Sequence, residues 1–255
     1  MPESPMETNS SLLKVSGLSR AYGTVQAVDG LSFEVQPGEI LGLVGPNGAG
    51  KTTSLRTIAG VLPIQSGEIQ VVGRDLVEDP IGAKSLLAWV PDEPQPDENL
   101  TVLEHLEFTA GIYGIGDWGE TAHELLARFD LTAKADALGG ELSRGMRQKL
   151  AFAQAWLTRP RVLLMDEPLS GLDPLGIRAA KAEILQMAAE GAAIVLSSHL
   201  LKLIEELADR LLILDAGRAV FTGTLEEARA SDLADSGGSL EEIFLAATGA
   251  RPVED

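Results

Sequence analysis

The chain has 255 residues, 45% of them hydrophobic, and 20 Lys and Arg against 38 Asp and Glu give a formal net charge of −18. This length and apolar content suffice for one large domain or two small ones, and the acidic balance argues against broad binding to nucleic acid or an anionic bilayer. The absence of cysteine excludes disulfides, thiolate metal sites and cysteine nucleophiles.

The N-terminal segment over 1–10 is rich in Pro, Ser and Glu, which predicts a disordered lead-in. It has no basic run followed by an apolar stretch, so we expect no signal peptide. Nowhere do about 18 apolar residues follow one another without a charge, so we expect no membrane span. These features together are typical of a soluble intracellular protein.

The next part of the chain predicts strands around one helix. Alternating apolar residues at Leu12–Val15 and Leu31–Val35 suit a β layer, and Ile40–Val44 is a short apolar run bounded by glycines, as in a buried parallel strand. A helix is predicted from near residue 50 to near residue 60. A further short strand is predicted over Glu68–Val72.

The pattern becomes helical from about residue 81 to 140, with apolar residues at helical spacing in Thr101–Tyr113 and Glu120–Phe129. Strands and helices then alternate, which predicts an α/β core with a mostly parallel sheet. The predicted elements are a helix at Ser143–Leu157, a strand at Val162–Met165, a helix at Pro174–Ala189, a strand at Ala193–Leu196, a helix at Leu200–Ala208 and a strand at Leu211–Leu214. Two helices, about 225–230 and 239–247, end the chain, separated by a Ser/Gly break at 236–239.

A phosphate-binding loop is predicted over residues 45–53, where GPNGAGKTT fits the pattern G-x-x-x-x-G-K-[ST] between a buried strand and a helix. In such a loop, successive N–H groups and the helix N-terminus face phosphate oxygens. Lys51 would contact the β- and γ-phosphates, and the Thr52 hydroxyl would bind Mg²⁺. The predicted binding residues are Gly45, Pro46, Asn47, Gly48, Ala49, Gly50, Lys51, Thr52 and Thr53.

Two carboxylates, Asp166 and Glu167, end the predicted strand that begins at Val162. Ligands of open parallel sheets lie beyond the carboxyl ends of the strands, which puts both acids beside the phosphate loop. Because neighbouring strand residues point to opposite faces, we expect Asp166 to hold Mg²⁺ through water and Glu167 to orient or deprotonate the attacking water. Without a phosphate loop, such a pair could equally be a solvated turn.

Three further segments make the chain resemble the ATP-binding subunits of ABC transporters over nearly its whole length. The family's signature segment is LSRGM at 142–146, its D-loop is SGLD at 170–173, and its histidine switch is SSH at 197–199. Tyr22 stands where the family places the aromatic residue that stacks on adenine. Taken alone, Tyr22 and His199 would be ordinary surface residues, and Ser143 would be a helix N-cap.

The resemblance implies a P-loop NTPase core over 11–223, with an N-terminal antiparallel β layer, a helical subdomain inserted at about 81–157, and a C-terminal helical extension over 224–255. It implies ATP and Mg²⁺ as cofactors. Two such domains would pack head to tail around two ATP molecules, as a homodimer or a heterodimer. Ser143 and Gly145 of one would contact the γ-phosphate held by the other's Lys51, His199 would donate to that phosphate, and Asp173 would link the two sites.

Three positions in two segments depart from the family pattern. Asp92 replaces the glutamine whose amide oxygen reaches Mg²⁺, and we hypothesise that its carboxylate binds the ion instead; Gln95 is a weaker candidate. Arg144 and Met146 replace a glycine and a glutamine of the signature, and Arg144 could lie near the partner's ATP or be solvated. These variants and residues 239–245 resemble the ABC-2-type, exporter-like branch.

The resemblance further implies a separate membrane-spanning partner and a position on the cytoplasmic face of the membrane. The partner would dock near Pro91–Tyr113, where Trp89 and Phe108 either form a groove or pack inside the helical block. Two alternatives stay open: a soluble ABC ATPase without transport, and a nucleotide-sensing module that hardly hydrolyses ATP. A single phosphate loop, no long heptad run and the acidic balance count against the first alternative. Glu167 and His199 count against the second, while Asp92 and Arg144 leave it open.

Overall fold

The computed structural model describes residues 11–231 and 239–248, so the predicted lead-in over 1–10 and residues 236–238 of the predicted break lie outside it. The strands are, in chain order, β1 (Leu13–Tyr22), β2 (Val25–Val35), β3 (Ile40–Val44), β4 (Ser66–Val71), β5 (Arg74–Asp75), β6 (Leu87–Val90), β7 (Val162–Asp166), β8 (Ala193–Ser197), β9 (Arg210–Asp215) and β10 (Arg218–Thr224). The α-helices are α1 (Lys51–Ile58), α2 (Pro80–Lys84), α3 (Val102–Tyr113), α4 (Trp118–Arg128), α5 (Arg144–Leu157), α6 (Pro174–Ala189), α7 (Leu201–Leu207), α8 (Leu225–Ala230) and α9 (Leu240–Thr248).

A six-stranded sheet with the order β10-β9-β3-β8-β7-β6 forms the centre of the fold. The neighbours from β9 to β6 pair in parallel, and β10 pairs antiparallel with β9. Every residue of β3, β7 and β8 is buried, as expected for parallel strands covered on both faces. The predicted α/β core with a mostly parallel sheet is confirmed.

A second sheet, antiparallel and ordered β2-β1-β4-β5, covers one face of the first. Its buried side chains, Leu13 and Val15 among them, pack with α1 against the central sheet residues Leu41, Leu164 and Val195. Burying this apolar surface contributes on the order of 25 cal/mol per Å². The predicted N-terminal β layer is therefore present, and it holds α1 and the loop before it against the central sheet.

The helices that follow β6 pack on the other face, where α3, α4 and α5 share one core with the central sheet. Three aromatic rings, those of Phe129, Phe152 and Trp156, lie with their centroids 5.4–5.9 Å apart and join α4 to α5. The start of α3 is closed by a capping box between Thr101 and Glu104. Because α5 packs on α3, α4 and β6, its position beside the central sheet is fixed by this shared core.

Three strands differ from what the sequence indicates, since β5 and β10 were not predicted and β6 was not expected as a strand. β6 lies within the stretch assigned to helices, yet it pairs with β7 at the edge of the central sheet; four apolar residues are too few to distinguish a strand from a helix by periodicity. β10 follows β9 through Ala216 and Gly217, both at positive φ (44° and 84°). This is a two-residue hairpin turn with Ala at a position that usually holds Asn or Asp.

The two predicted C-terminal helices are present as α8 and α9, and α9 packs against α7, α8 and β9. Leu240 and Ile243 of α9 are buried in the same core as the helices on that face. Among the helices within 11–231 and 239–248, none combines the length and the apolar character that a bilayer crossing requires.

Candidate functional site

The carboxyl ends of β3, β7 and β8 meet at one cleft because the three strands are parallel neighbours, with Asp166 directly opposite Ser197. The cleft has a volume of about 460 Å³. It is lined by Ala27, Asn47, Gly48, Ala49, Gly50, Lys51, Thr52, Thr53, Asp92, Asp166, Glu167, Ser170 and His199. The structure thus brings together most residues of the predicted phosphate loop, both acids of the predicted strand end, Asp92 and His199.

The phosphate loop crosses from β3 to α1 by a path that requires glycine at Gly50. Its φ is 105°, and an added Cβ would lie 2.3 Å from the carbonyl oxygen of Ala27. Lys51, Thr52 and Thr53 form the first turn of α1 and line the cleft. The unpaired N–H groups of that helix end therefore lie at the cleft, where they favour an anion.

The ammonium group of Lys51 lies inside the cleft between the loop and the acidic strand end. Its side chain is buried, and Nζ donates to the carbonyl oxygens of Gly45 and Pro46 at 2.7 and 3.2 Å. Burial lowers the pKa of Lys51, and the nearby Glu167 and Asp166 oppose that shift. This arrangement places a cation where phosphates would enter.

The two acids at the end of β7 have different surroundings. Asp166 is buried and accepts a hydrogen bond from the Ser197 hydroxyl. Glu167 lies outside the strand at a φ of 46°, and its N–H donates to the Ser197 carbonyl oxygen at 3.1 Å. Strand alternation does not explain why the Asp166 and Glu167 side chains have different surroundings, because β7 ends at Asp166. The difference comes instead from the left-handed backbone at Glu167.

The Glu167 carboxylate is held by two groups from the segment after β8. His199 Nδ1 lies 2.8 Å from Glu167 Oε2, and the Ser198 hydroxyl donates to the same oxygen at 3.3 Å. The carboxylate is only 16% exposed, whereas the His199 side chain is 60% exposed. A partly buried carboxylate next to a mobile proton donor and acceptor is suited to handling a water molecule.

Asp92 lies at the mouth of the cleft and is paired with Arg144, whose Nη2 is 3.2 Å from Asp92 Oδ1. The same nitrogen donates to the Ser170 hydroxyl at 2.9 Å. Arg144 is thus paired within its own chain while its side chain stays 52% exposed, a pairing that the sequence analysis did not predict. Gln95 lines a neighbouring groove together with Phe108.

Six predicted site residues do not line the cleft: Tyr22, Gly45, Pro46, Ser143, Gly145 and Asp173. Ser143 and Asp173 are exposed and cap α5 and α6, accepting from Met146 N and Gly176 N. Gly145 packs so closely on the D-loop that an added Cβ would lie 2.8 Å from the Gly171 carbonyl oxygen. These three residues thus lie outside this chain's own cleft. Gly45 and Pro46 take part only through their carbonyl oxygens, which accept from Lys51 Nζ.

Tyr22 lies beside the phosphate loop but is 48% exposed. The Arg20 guanidinium lies 5.0 Å from the centroid of its ring and donates to its hydroxyl at 3.2 Å. That hydrogen bond is the main cause of a lowered pKa at Tyr22, and a smaller contribution comes from Thr53 of α1. The contact with Thr53 places Tyr22 within reach of a ligand bound to the loop.

Three serines of the site had no role in the sequence interpretation. Ser197 binds Asp166 and the Glu167 backbone, Ser198 binds Glu167, and Ser170 binds Arg144. The available signal was two consecutive hydroxyls at the end of a buried strand, since buried hydroxyls need a partner.

The oxygens that could hold a metal ion are the Thr52 hydroxyl and the carboxylates of Asp166 and Asp92, which all line the cleft. Over 11–231 and 239–248, no cluster of three or more His, Asp or Glu residues forms a metal site by itself. These oxygens fit Mg²⁺, which is commonly bound by one or two protein oxygens together with phosphates and water.

Comparisons with known proteins agree with this geometry. A family model described as ABC transporter matches residues 28–170. A second model, described as an AAA domain, putative AbiEii toxin, Type IV TA system, matches residues 139–205.

Individual relatives match along nearly the whole chain. The ABC-type transporter ATP-binding protein EcsA of Bacillus subtilis (strain 168) is 35% identical over 242 residues, which cover 93% of this chain and 97% of EcsA. The Nod factor export ATP-binding protein I of Paraburkholderia xenovorans (strain LB400) is 35% identical over 96% of this chain and 78% of its own length. A solved ATP-binding subunit of an ABC transporter superposes with a TM-score of 0.88 at 34% identity, covering 93% of this chain and 99% of that one. The phosphate loop, the acidic strand end and these matches together show that the chain belongs to the ABC transporter family, as an ATP-binding subunit.

Proposed function

We propose that this subunit hydrolyses ATP and uses the energy to drive a separate membrane-spanning subunit. The observation that carries the proposal is a single cleft that holds Lys51, Asp166, Glu167 and His199. The cleft combines a buried cation for phosphate with a carboxylate for water, which are the two parts that phosphoryl transfer to water requires.

Each part of the cleft has a proposed role. Residues 45–53 bind the phosphates through backbone N–H groups and Lys51, and Tyr22 stacks on the adenine. Glu167 orients the attacking water and accepts its proton, since its carboxylate is held by Ser198 and His199. His199 is largely exposed and can turn from Glu167 to donate to the γ-phosphate.

Thr52, Asp166 and Asp92 would hold Mg²⁺ in this proposal. When bound, the ion neutralises charge on the phosphates and lowers the barrier to transfer. Asp166 is kept in place by Ser197 and reaches the ion through water, and Asp92 is exposed enough to turn towards it.

The role of Asp92 predicts a changed metal dependence. In Asp92→Ala, the Mg²⁺ concentration for half-maximal ATP hydrolysis should rise about tenfold, because one carboxylate ligand worth about 1.4 kcal/mol is lost. Steady-state hydrolysis across a Mg²⁺ titration measures it, with Asp97→Ala as a control that removes a nearby carboxylate outside the cleft. An unchanged Mg²⁺ dependence would remove Asp92 from the ligand set.

We further propose that two ATP-binding subunits pair head to tail, either two copies of this chain or this chain and a relative. Ser143 and Gly145 at the start of α5 would contact the γ-phosphate in the other cleft, and Asp173 would join the two sites. The exposure of Ser143 and Asp173 and their position outside their own cleft support this pairing. Closure on ATP and opening after hydrolysis would supply the force.

The membrane partner is proposed to dock in a groove of about 500 Å³ between β6 and helices α3 and α5. Phe108 is 61% exposed at this groove, so it does not pack inside the helical block. Trp89 also lines the groove but is partly buried against the core. An exposed aromatic side chain beside a groove is suited to binding an amphipathic helix of a partner.

Attachment to the cytoplasmic face of the membrane through this partner follows from the proposal.

We propose that the chain is divided into an ATP-binding domain over 11–223, with the helical insert at about 81–157, and an extension over 224–255. Membership of the ABC-2-type, exporter-like branch is supported by two relatives, the Nod factor export protein and the daunorubicin resistance ATP-binding protein DrrA3 of Streptomyces coeruleorubidus. Copurification tests the function: the chain should be recovered with a multi-spanning membrane protein, and recovery with soluble partners alone would contradict it.

A further inference from the structure

Arg144 joins three separate segments beside the phosphate cleft. It is the first residue of α5, and its Nη2 lies 3.2 Å from Asp92 Oδ1, after β6, and 2.9 Å from Ser170 Oγ, after β7. Its side chain also lies over Gly171, where an added Cβ would be 3.0 Å from Arg144 Cδ. One side chain therefore connects the loop that carries Asp92, the start of α5 and the D-loop.

The pair is charged and accessible to solvent. The Arg144 and Asp92 side chains are 52% and 43% exposed, and ion pairs with such exposure are weak and can be exchanged for other partners. Asp92 also lines the cleft, where Thr52 and Asp166 supply further oxygen ligands. A divalent ion that enters with a nucleotide would therefore find the Asp92 carboxylate already paired with the Arg144 guanidinium.

We propose that Arg144 is a positioning residue that holds Asp92 at the side of the cleft in the absence of nucleotide and competes with Mg²⁺ for its carboxylate. This inference rests on the proposed binding of Mg²⁺ and ATP in the cleft. When Asp92 turns to the ion, Arg144 loses its tie to the loop after β6. The start of α5, which carries Ser143 and Gly145, is then no longer bound to that loop when it meets the cleft of a second subunit.

The competition has a measurable consequence for nucleotide binding. The probe is the non-hydrolysable analogue AMP-PNP, and its Kd is measured by calorimetry in excess EDTA and in excess Mg²⁺, at a protein concentration at which the chain elutes as a single copy. The ratio of the two constants is the gain in affinity due to Mg²⁺. Arg144→Ala should increase this ratio about two- to fivefold, because the ion no longer displaces an ion pair. Arg144→Lys keeps a cation and should leave the ratio near that of the unsubstituted chain.

The decisive comparison is a double-mutant cycle with Asp92→Asn. In the Asp92→Asn background, Arg144→Ala should not change the ratio of the two AMP-PNP dissociation constants. A matched control is Arg74→Ala, which removes a similarly exposed Arg–Asp pair (51% and 50%) outside the cleft. An unchanged ratio in Arg144→Ala, or the same increase in the Asp92→Asn background, would overturn the proposal. An unsubstituted chain whose nucleotide affinity does not depend on Mg²⁺ would overturn the proposed function as well, and that result appears before any variant is made.

Discussion

Replacing Glu167 with glutamine should lower the turnover of ATP hydrolysis by about a hundred- to ten-thousandfold while leaving the Kd for ATP within about threefold. The amide has the size of the carboxylate and can keep the contacts with Ser198 Oγ and His199 Nδ1 at 3.3 and 2.8 Å. It cannot accept a proton from water, so the loss falls on the chemical step. Steady-state hydrolysis and equilibrium binding of ATP, measured on the same preparation, separate the two effects.

Glu124→Gln is the matched control for this variant, because Glu124 is an exposed glutamate of α4 that does not line the cleft. Its turnover should equal that of the unsubstituted chain. Hydrolysis by Glu167→Gln within threefold of the unsubstituted rate would show that another group handles the water.

Replacing Lys51 with alanine should lower turnover by about a hundred- to a thousandfold and weaken ATP binding by about tenfold or more. The buried ammonium group is a cation close to Glu167 and Asp166, and its two acceptors, the Gly45 and Pro46 carbonyl oxygens, leave one of its three N–H donors for phosphate. With alanine at position 51, the phosphates lose this cation and keep the backbone N–H donors of residues 45–53. Both constants come from the same binding and hydrolysis measurements.

The loss in Lys51→Ala must be separated from damage to the loop that Lys51 stabilises. Lys84→Ala serves as the control, because Lys84 Nζ also donates to a loop carbonyl oxygen, that of Gly60 at 3.0 Å, outside the cleft. Thermal unfolding of both variants should show similar, small changes in Tm. Normal ATP affinity in Lys51→Ala would contradict the role of Lys51 in phosphate binding.

The sequence predicted the central site because that site depends on topology. Once a mostly parallel sheet was expected, the phosphate loop, Asp166 and Glu167 were expected at one edge of it, whereas His199 was included only because of the resemblance to the family. Apolar periodicity predicted the β layer, which the resemblance to the family made antiparallel, and it predicted the helices from α3 to α9, whose boundaries agree within two residues.

The remaining features depend on side-chain direction and short-range geometry, which periodicity does not specify. The hydrogen bonds of Arg144 with Asp92 and Ser170 could not be predicted, because they depend on how closely α5 packs on the D-loop. That distance is set by Gly145 and Gly171. The orientation of Glu167 required its left-handed backbone, which is uncommon for a residue other than glycine.

The coupling of this chain to a membrane-spanning subunit is tested most directly by copurification. Glu167→Gln, which should retain ATP, is purified from detergent-solubilised membranes of the source cell, with and without ATP. We predict that mass spectrometry finds a multi-spanning membrane protein in stoichiometric amount, recovered in an ATP-dependent way. Phe108→Arg in the groove should abolish that recovery, and Val77→Arg, at an equally exposed apolar residue (68% against 61%) away from the groove, should not. Recovery with only soluble proteins, ribosomes or nucleic acid would contradict the account and indicate an ABC ATPase that does not serve transport.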